Sequence, residues 1–141
     1  MAVVQILAGV VGAVFLLVGI LGFIPGATTN FGDFGLIGPE PAAKLLGLFT
    51  VSVVHNIVHL AFGVAGLLTF RRAAAAGSFL IVGGLLYGVV LVYGLVVDRA
   101  SSLNFLPINT ADNWLHLGLS TGMVLLGVVG TALLRRSPAR A

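Results

Sequence analysis

The sequence predicts an all-α membrane protein, a four-transmembrane-helix bundle built from two similar helical hairpins. Of its 141 residues, 59% are hydrophobic and only 8% are charged, whereas soluble domains carry about 25% charged residues. Four apolar runs each reach the roughly 20 residues needed to cross the hydrocarbon core of a bilayer. The predicted helices cover residues 3–24, 45–70, 77–97 and 112–134 of a single integral membrane domain, residues 1–141.

The distribution of charged residues predicts the orientation, because cytoplasmic loops are enriched in Lys and Arg. One side carries only basic residues, which follow the second and fourth runs: Arg71, Arg72, Arg135, Arg136 and Arg140. The other side is mixed: Asp33, Glu40, Lys44, Asp98, Arg99 and Asp112. We therefore predict that both termini are cytoplasmic and that residues 25–44 and 98–111 form outer loops. The pI of 10.2 then reflects membrane topology and not binding to nucleic acid.

The first run is predicted to be a retained helix and not a signal peptide. It lacks a basic N-terminal region, and its apolar stretch exceeds the usual 7–15 residues. Pro25 followed by Gly26 ends the helix. The first outer loop combines turn-forming residues with interleaved apolar ones, so we expect it to lie at the interface or to fold back over the bundle.

The second helix is predicted to begin near Pro41–Lys44 and to end at Arg71. Its length of about 26 residues exceeds a straight span, so its outer end is expected to tilt or project. Residues 73–77 are interpreted as a short cytoplasmic turn. In the third helix, Gly84 and Gly88 form a small-xxx-small pair suited to close helix packing.

Further predictions concern the environment of two tyrosines and the residues that begin the fourth helix. Tyr93 lies near the outer interface, whereas Tyr87 is deeper and needs a hydroxyl partner if it faces the bundle. Asn109 or Thr110 is predicted to cap the fourth helix, and Asp112 suits the positive end of its dipole. Trp114 is predicted to face lipid at the outer interface.

A polar cluster interrupts the second run. His55 and His59 are four residues apart and therefore share a helix face. At an offset of 57 residues, His55-Asn-Ile-Val-His-Leu60 aligns with Asp112-Asn-Trp-Leu-His-Leu117. Such a parallel repeat predicts that helices two and four meet through their polar faces. The predicted polar seam comprises Ser52, His55, Asn56, His59, Asn113, His116 and Ser120.

The pairing of the histidines across this seam has two solutions. The repeat pairs His59 with His116. At 1.5 Å per residue, His116 lies roughly 28 Å along its helix from the arginines that follow it. His55 lies roughly 24 Å and His59 roughly 18 Å from the arginines that follow the second helix. Depth therefore pairs His116 with His55, and the sequence leaves both pairings open.

The chain resembles a family of small bacterial four-helix membrane proteins catalogued as a domain of unknown function. The resemblance rests on Gly22-Phe-Ile-Pro-Gly26, on His55-Asn-x-x-His59-Leu60-x-x-Gly63, and on the run from Leu106-Pro-x-Asn109 to Asp112-Asn113-x-Leu115-His116-Leu117. It covers most of the chain and implies four helices in the inner membrane, but no activity. Ser120 stands where this pattern favours glycine, which puts the closest helix packing there in doubt.

Three interpretations of the cluster remain open. Histidine and asparagine can join helices by hydrogen bonds. Alternatively, His55, His59 and His116 can hold zinc or copper, with Asp112 either as a fourth ligand or as the hydrogen-bond partner of a ligating histidine. Two histidines on facing helices can instead ligate haem b. A third possibility is quinone-linked redox chemistry with His55, His59 and Tyr87. The chain contains no cysteine, which excludes thiolate ligands.

The sequence favours a non-catalytic accessory or interaction subunit of the bacterial cytoplasmic membrane. No nucleophile–base arrangement stands out, so no catalytic residue is assigned. Glycine-rich helix faces fit a homo-oligomer or a larger membrane complex. The metal or haem site on the three histidines is the main alternative.

Overall fold

The computed structural model describes residues 1–39 and 43–136, which form four helices and a small sheet. The helices are α1 (Val3–Leu21), α2 (Val53–Thr69), α3 (Ala73–Val96) and α4 (Thr110–Arg136). By length and composition α1, α3 and α4 can cross a bilayer, and α2 is a shorter apolar helix of 17 residues. The predicted four-helix class is confirmed. Glu40, Pro41 and Arg140, on which parts of the sequence predictions rested, lie outside the described residues.

Two helical hairpins, α1–α2 and α3–α4, make up the bundle, and each depends on glycine at its helix contact. A Cβ atom added to Gly66 would lie 2.6 Å from the Cα atom of Gly12 in α1. In the second hairpin, a Cβ atom on Gly84 would lie 2.9 Å from the carbonyl oxygen of Ser120. Ser120 therefore does not prevent close packing, because the glycine lies on the opposite helix. Between the hairpins, α1 packs against both α3 and α4, and α2 packs against α3.

The first long connection, which was predicted to be an outer loop, folds back over the end of the bundle. Its three short antiparallel strands lie in the order β1-β2-β3: Thr28–Thr29, Lys44–Leu45 and Phe49–Thr50. Leu45 and Val51 are buried and pack with Val18 and Leu21 of α1. One of the two arrangements that the sequence left open is thus observed.

The structure corrects the second predicted span. α2 begins at Val53 and not near residue 45, because Leu46 and Gly47 take positive φ angles of 54° and 71° in the turn between β2 and β3. Ser52 then caps α2. The apolar run from residue 45 combined a strand pair with a helix, and length alone suggested one long helix. The expected tilt of an over-long helix is therefore no longer required.

The turn between α2 and α3 is also shorter than predicted. α3 begins at Ala73, so residues 73–77 are helical, as expected from the high helix propensity of alanine. The remaining predicted helix ends, at residues 24, 97, 112 and 134, differ from the observed ends by one to three residues. Trp114 is 70% exposed on the outside of α4, as predicted.

Candidate functional site

Five aromatic rings from all four helices form a buried cluster. The ring centroids of His55 and His59 on α2 are 4.7 Å apart, and the His116 ring of α4 lies 6.3 Å from that of His55. Phe15 of α1 and Tyr87 of α3 stack with centroids 5.3 Å apart. All five side chains are buried. The structure therefore brings the three predicted histidines together with Tyr87, which the sequence analysis grouped with His55 and His59 for redox chemistry, and adds Phe15, which it did not place there.

The two hairpins contribute to this cluster in equivalent ways. The Phe15 ring lies 5.5 Å from that of His59 at an interplanar angle of 50°. The Tyr87 ring lies 5.4 Å from that of His116, also at 50°. The repeat at 57 residues equates His59 with His116, and an offset of 72 residues equates Phe15 with Tyr87. The same geometry at both pairs supports the internal repeat.

Asn56 and Asn113 are a second pair of equivalent residues in the repeat, and each packs against a glycine of the other helix in its hairpin. Asn56 packs against Gly22 at the end of α1, and Asn113 packs against Gly94 near the end of α3. A Cβ atom on either glycine would overlap the asparagine amide. Asn113 Nδ2 also donates a hydrogen bond to the carbonyl oxygen of Gly94 at 2.9 Å. These described contacts lie within the hairpins, whereas the sequence analysis assigned both asparagines to a seam between α2 and α4.

The N-termini of α2 and α4 are capped at equivalent positions. Ser52 Oγ accepts a hydrogen bond from the backbone N–H of His55 at 3.2 Å. In α4, Asn109 Oδ1 accepts from the N–H of Asp112, and Asp112 Oδ2 accepts from the N–H of Asn109, both at 2.9 Å. Asp112 Oδ2 also accepts from the N–H of Thr50 at 3.1 Å and from the Thr50 hydroxyl. Asp112 therefore anchors β3 to α4.

The two serines of the predicted seam have local structural contacts. Ser52 is the cap of α2. Ser120 faces α3, where a Cβ atom on Gly88 would lie 3.0 Å from its hydroxyl oxygen. The candidate site is therefore narrower than the seam and centres on His55, His59 and His116.

A cavity of about 50 Å³ adjoins the ring cluster. Its lining includes His55, His59, Phe62, Tyr87, Ile108 and His116. Three of these side chains carry a buried polar atom without a hydrogen-bond partner in the part of the chain that the structure describes: His55 Nδ1, the Tyr87 hydroxyl and His116 Nδ1. Buried polar atoms normally have a partner, so three such atoms in one ring cluster are unusual.

The arrangement does not support the predicted metal and haem sites. Within residues 1–39 and 43–136, no three His, Asp or Glu side chains are placed to hold one metal ion. Pockets for cofactors typically measure about 300–1,000 Å³, far more than the 50 Å³ beside the histidines. The Phe15–Tyr87 stack also occupies the space between the hairpins.

Comparison with known families agrees with this architecture. Residues 5–129 match the family described as Domain of unknown function (DUF4383). The chain belongs to this family. The match confirms the resemblance inferred from the sequence and contains every residue of the ring cluster. No curated protein and no solved structure matches the chain, so the site of this DUF4383 protein is interpreted from its own geometry.

Sequence reasoning missed two parts of the site. Phe15 was read only as an apolar residue of the first helix, and Thr50, which binds Asp112, was placed inside the second helix. A signal for Phe15 was present, because the offset of 72 residues relates Gly12 to Gly84 as well as Phe15 to Tyr87. No sequence pattern linked Thr50 with Asp112.

Proposed function

We propose that this DUF4383 protein is a non-catalytic accessory protein of the membrane that binds a small ligand from the bilayer in its histidine–tyrosine cluster. The observation that carries the proposal is the cavity lined by His55, Tyr87 and His116, each of which has a buried polar atom without a partner among the described residues. A polar group held inside a membrane bundle without a partner is energetically costly. Binding of a ligand removes that cost.

The route to the cavity supports a ligand that arrives through the lipid phase. Val58 and Leu86 line the cavity, yet they are 37% and 50% exposed on the outer surface of α2 and α3. Leu106 and Ile108, in the connection between α3 and α4, also line the cavity and lie at its end nearer to that connection. The outer surface between these helices is apolar, so a ligand from the bilayer enters without crossing a charged barrier.

The proposal predicts a compound that co-purifies with the protein. Protein in mild detergent is extracted with organic solvent, and the extract is compared by mass spectrometry among wild type, Tyr87→Phe and Tyr93→Phe. Tyr87→Phe removes the hydroxyl of a cavity-lining residue. The Tyr93 hydroxyl donates to the Leu103 carbonyl oxygen and accepts from the Leu106 N–H, and Tyr93 is not among the residues that line the cavity. We expect a near-stoichiometric compound in wild type and Tyr93→Phe, and less of it in Tyr87→Phe.

The same samples, together with His55→Ala and His116→Ala, decide between this proposal and its alternatives. Identical extracts from all three proteins would overturn the ligand site and leave the cluster as a purely structural contact between hairpins. Stoichiometric zinc or copper that is lost in His55→Ala and His116→Ala would replace the proposal with the metal site. A Soret absorption band lost in those variants would replace it with haem b.

We also propose that both termini lie in the cytoplasm of a bacterial cell, as the arginine positions favour. The chain has no cysteine, so single cysteines introduced by mutation report topology without background. Gly32→Cys lies in the exposed outer loop, and Arg72→Cys lies in the exposed turn before α3. We expect a membrane-impermeant maleimide to label Gly32→Cys in intact spheroplasts and Arg72→Cys only after permeabilisation. The reverse pattern would invert the topology.

A further inference from the structure

Exposed arginines without an acidic neighbour gather at one end of the bundle, which we call the arginine end. They come from the turn between α2 and α3 and from the last turn of α4: Arg71, Arg72, Arg135 and Arg136. The acidic side chains of the described residues belong to the two long connections and to the first turn of α4: Asp33, Asp98 and Asp112. These carboxylates all lie at the opposite end, so none of them neutralises the four guanidinium groups.

The packing of α3 against α4 brings arginines of the two helices to the same level. A Cβ atom added to the glycine of each of three pairs would lie 3.0 Å or less from the other residue of the pair: Gly84 with Val124, Gly127 with Ile81, and Gly77 with Thr131. Each step along α3 towards the arginine end therefore matches an equal step along α4. Continued beyond Gly77 and Thr131, this antiparallel register aligns Arg72 with Arg136. Packed helices have axes about 8–10 Å apart, so two long guanidinium side chains can reach one phosphate group placed between them.

The lengths of α3 and α4 place the arginine end at the level of the lipid phosphates. With a rise of 1.5 Å per residue the two helices are roughly 36 Å and 40 Å long, whereas the hydrocarbon core is about 30 Å thick. Trp114, exposed on α4, is suited to the opposite interface, and Arg135 lies roughly 31 Å from it along the helix. The arginines therefore lie just beyond the hydrocarbon core, among the lipid head groups.

The chemistry of the arginine end matches the phosphate of an anionic phospholipid. A guanidinium group presents a planar fork of N–H donors that fits two phosphate oxygens. The head group of phosphatidylcholine carries a positive amine beside its phosphate, and the four arginines repel that amine. The head group of phosphatidylglycerol carries only the negative charge, so the excess of positive charge favours it.

We propose that Arg72 and Arg136 together bind the phosphate group of an anionic phospholipid, and that Arg71 and Arg135 strengthen the attraction. The lipid is the occupant because head groups surround the helices at this depth, and the turn between α2 and α3 has only three residues. A bound phosphate also reduces the repulsion among four like charges. The proposal is independent of the ligand proposed for the ring cluster, since Tyr87 lies roughly 22 Å along α3 from Arg72.

Native mass spectrometry of delipidated protein titrated with phosphatidylglycerol or phosphatidylcholine tests this proposal. We expect one phosphatidylglycerol to bind each chain at concentrations at which phosphatidylcholine does not bind. Arg72→Gln and Arg136→Gln should each weaken this binding roughly fivefold, the contribution of one basic residue at an anionic lipid surface. Arg99→Gln is the matched control, because Arg99 is exposed at the opposite end and donates to the Thr110 hydroxyl. It should bind as wild type does.

Four results would overturn the proposal. The first is equal binding of both lipids by wild type. The second is an Arg99→Gln protein that loses as much affinity as Arg72→Gln, because total charge and not the aligned pair would then govern binding. Soluble glycerol phosphate that displaces the lipid at equal concentration would assign the arginines to a free phosphate. An acidic peptide that displaces it in the same way would assign them to a protein partner.

Discussion

Replacing Asp112 with alanine is expected to lower the free energy of unfolding by about 3 kcal/mol, since a buried hydrogen bond to a charged group contributes about 1.5–3 kcal/mol. Asp112 is 1% exposed and accepts hydrogen bonds from the backbone N–H groups of Thr50 and Asn109 and from the Thr50 hydroxyl. Alanine leaves those donors buried beside an apolar side chain. The loss should loosen both the cap of α4 and the attachment of β3.

Thermal unfolding in mild detergent and limited proteolysis of residues 27–52 measure this effect. Asp112→Asn keeps an acceptor oxygen at the same place and should lose less stability than alanine. Asp98→Ala is the matched control, because Asp98 accepts an exposed hydrogen bond from the N–H of Ala100. An Asp112→Ala protein as stable and as protease-resistant as Asp98→Ala would show that the contact with Thr50 does not hold the sheet on the bundle.

Gly22→Leu and Gly94→Leu are expected to destabilise the protein by similar amounts, each by about 1–3 kcal/mol or more, the usual cost of overpacking a filled interior. Each glycine faces the asparagine of the helix that follows it, Asn56 or Asn113. A Cβ atom on Gly94 would also lie 2.7 Å from the side chain of Ile108. Neither site has room for a leucine without separating the helices.

Gly118→Leu provides the control for both variants. Gly118 lies on α4, and nothing lies within 4 Å of a Cβ atom placed there. Detergent unfolding curves should therefore shift for the two buried variants and stay close to wild type for Gly118→Leu. A large shift for only one of Gly22→Leu and Gly94→Leu would contradict the equivalence of the two hairpins.

Part of the candidate site could be read from the sequence because it repeats. The match of His59 with His116 and of Asn56 with Asn113 appears at one constant offset of 57 residues. Phe15 and Tyr87 obey a different offset, 72 residues, because the first connection carries the β1–β3 sheet and the second does not. That change of offset within the chain concealed the relation between α1 and α3.

The sequence also left the pairing of the histidines open, and packing decided it. Of the two other histidine rings, His116 contacts that of His55, which is the pairing that depth along the helices favoured. His59 instead contacts Phe15 of its own hairpin, and its Nδ1–H donates a hydrogen bond to the carbonyl oxygen of His55 at 3.0 Å. Helix spacing fixes which residues share a face, but the angle and offset between helices decide which rings touch.

The sequence by itself determined that the chain is a helical membrane protein with a histidine cluster, because the length and polarity of a segment decide whether it can cross a bilayer. Only the tertiary structure decided that residues 44–50 form two paired strands joined by a turn, that Asp112 binds Thr50, and that Tyr87 shares one cavity with His55 and His116. These features depend on contacts between segments far apart in the chain, and hydrophobic periodicity records nothing about them.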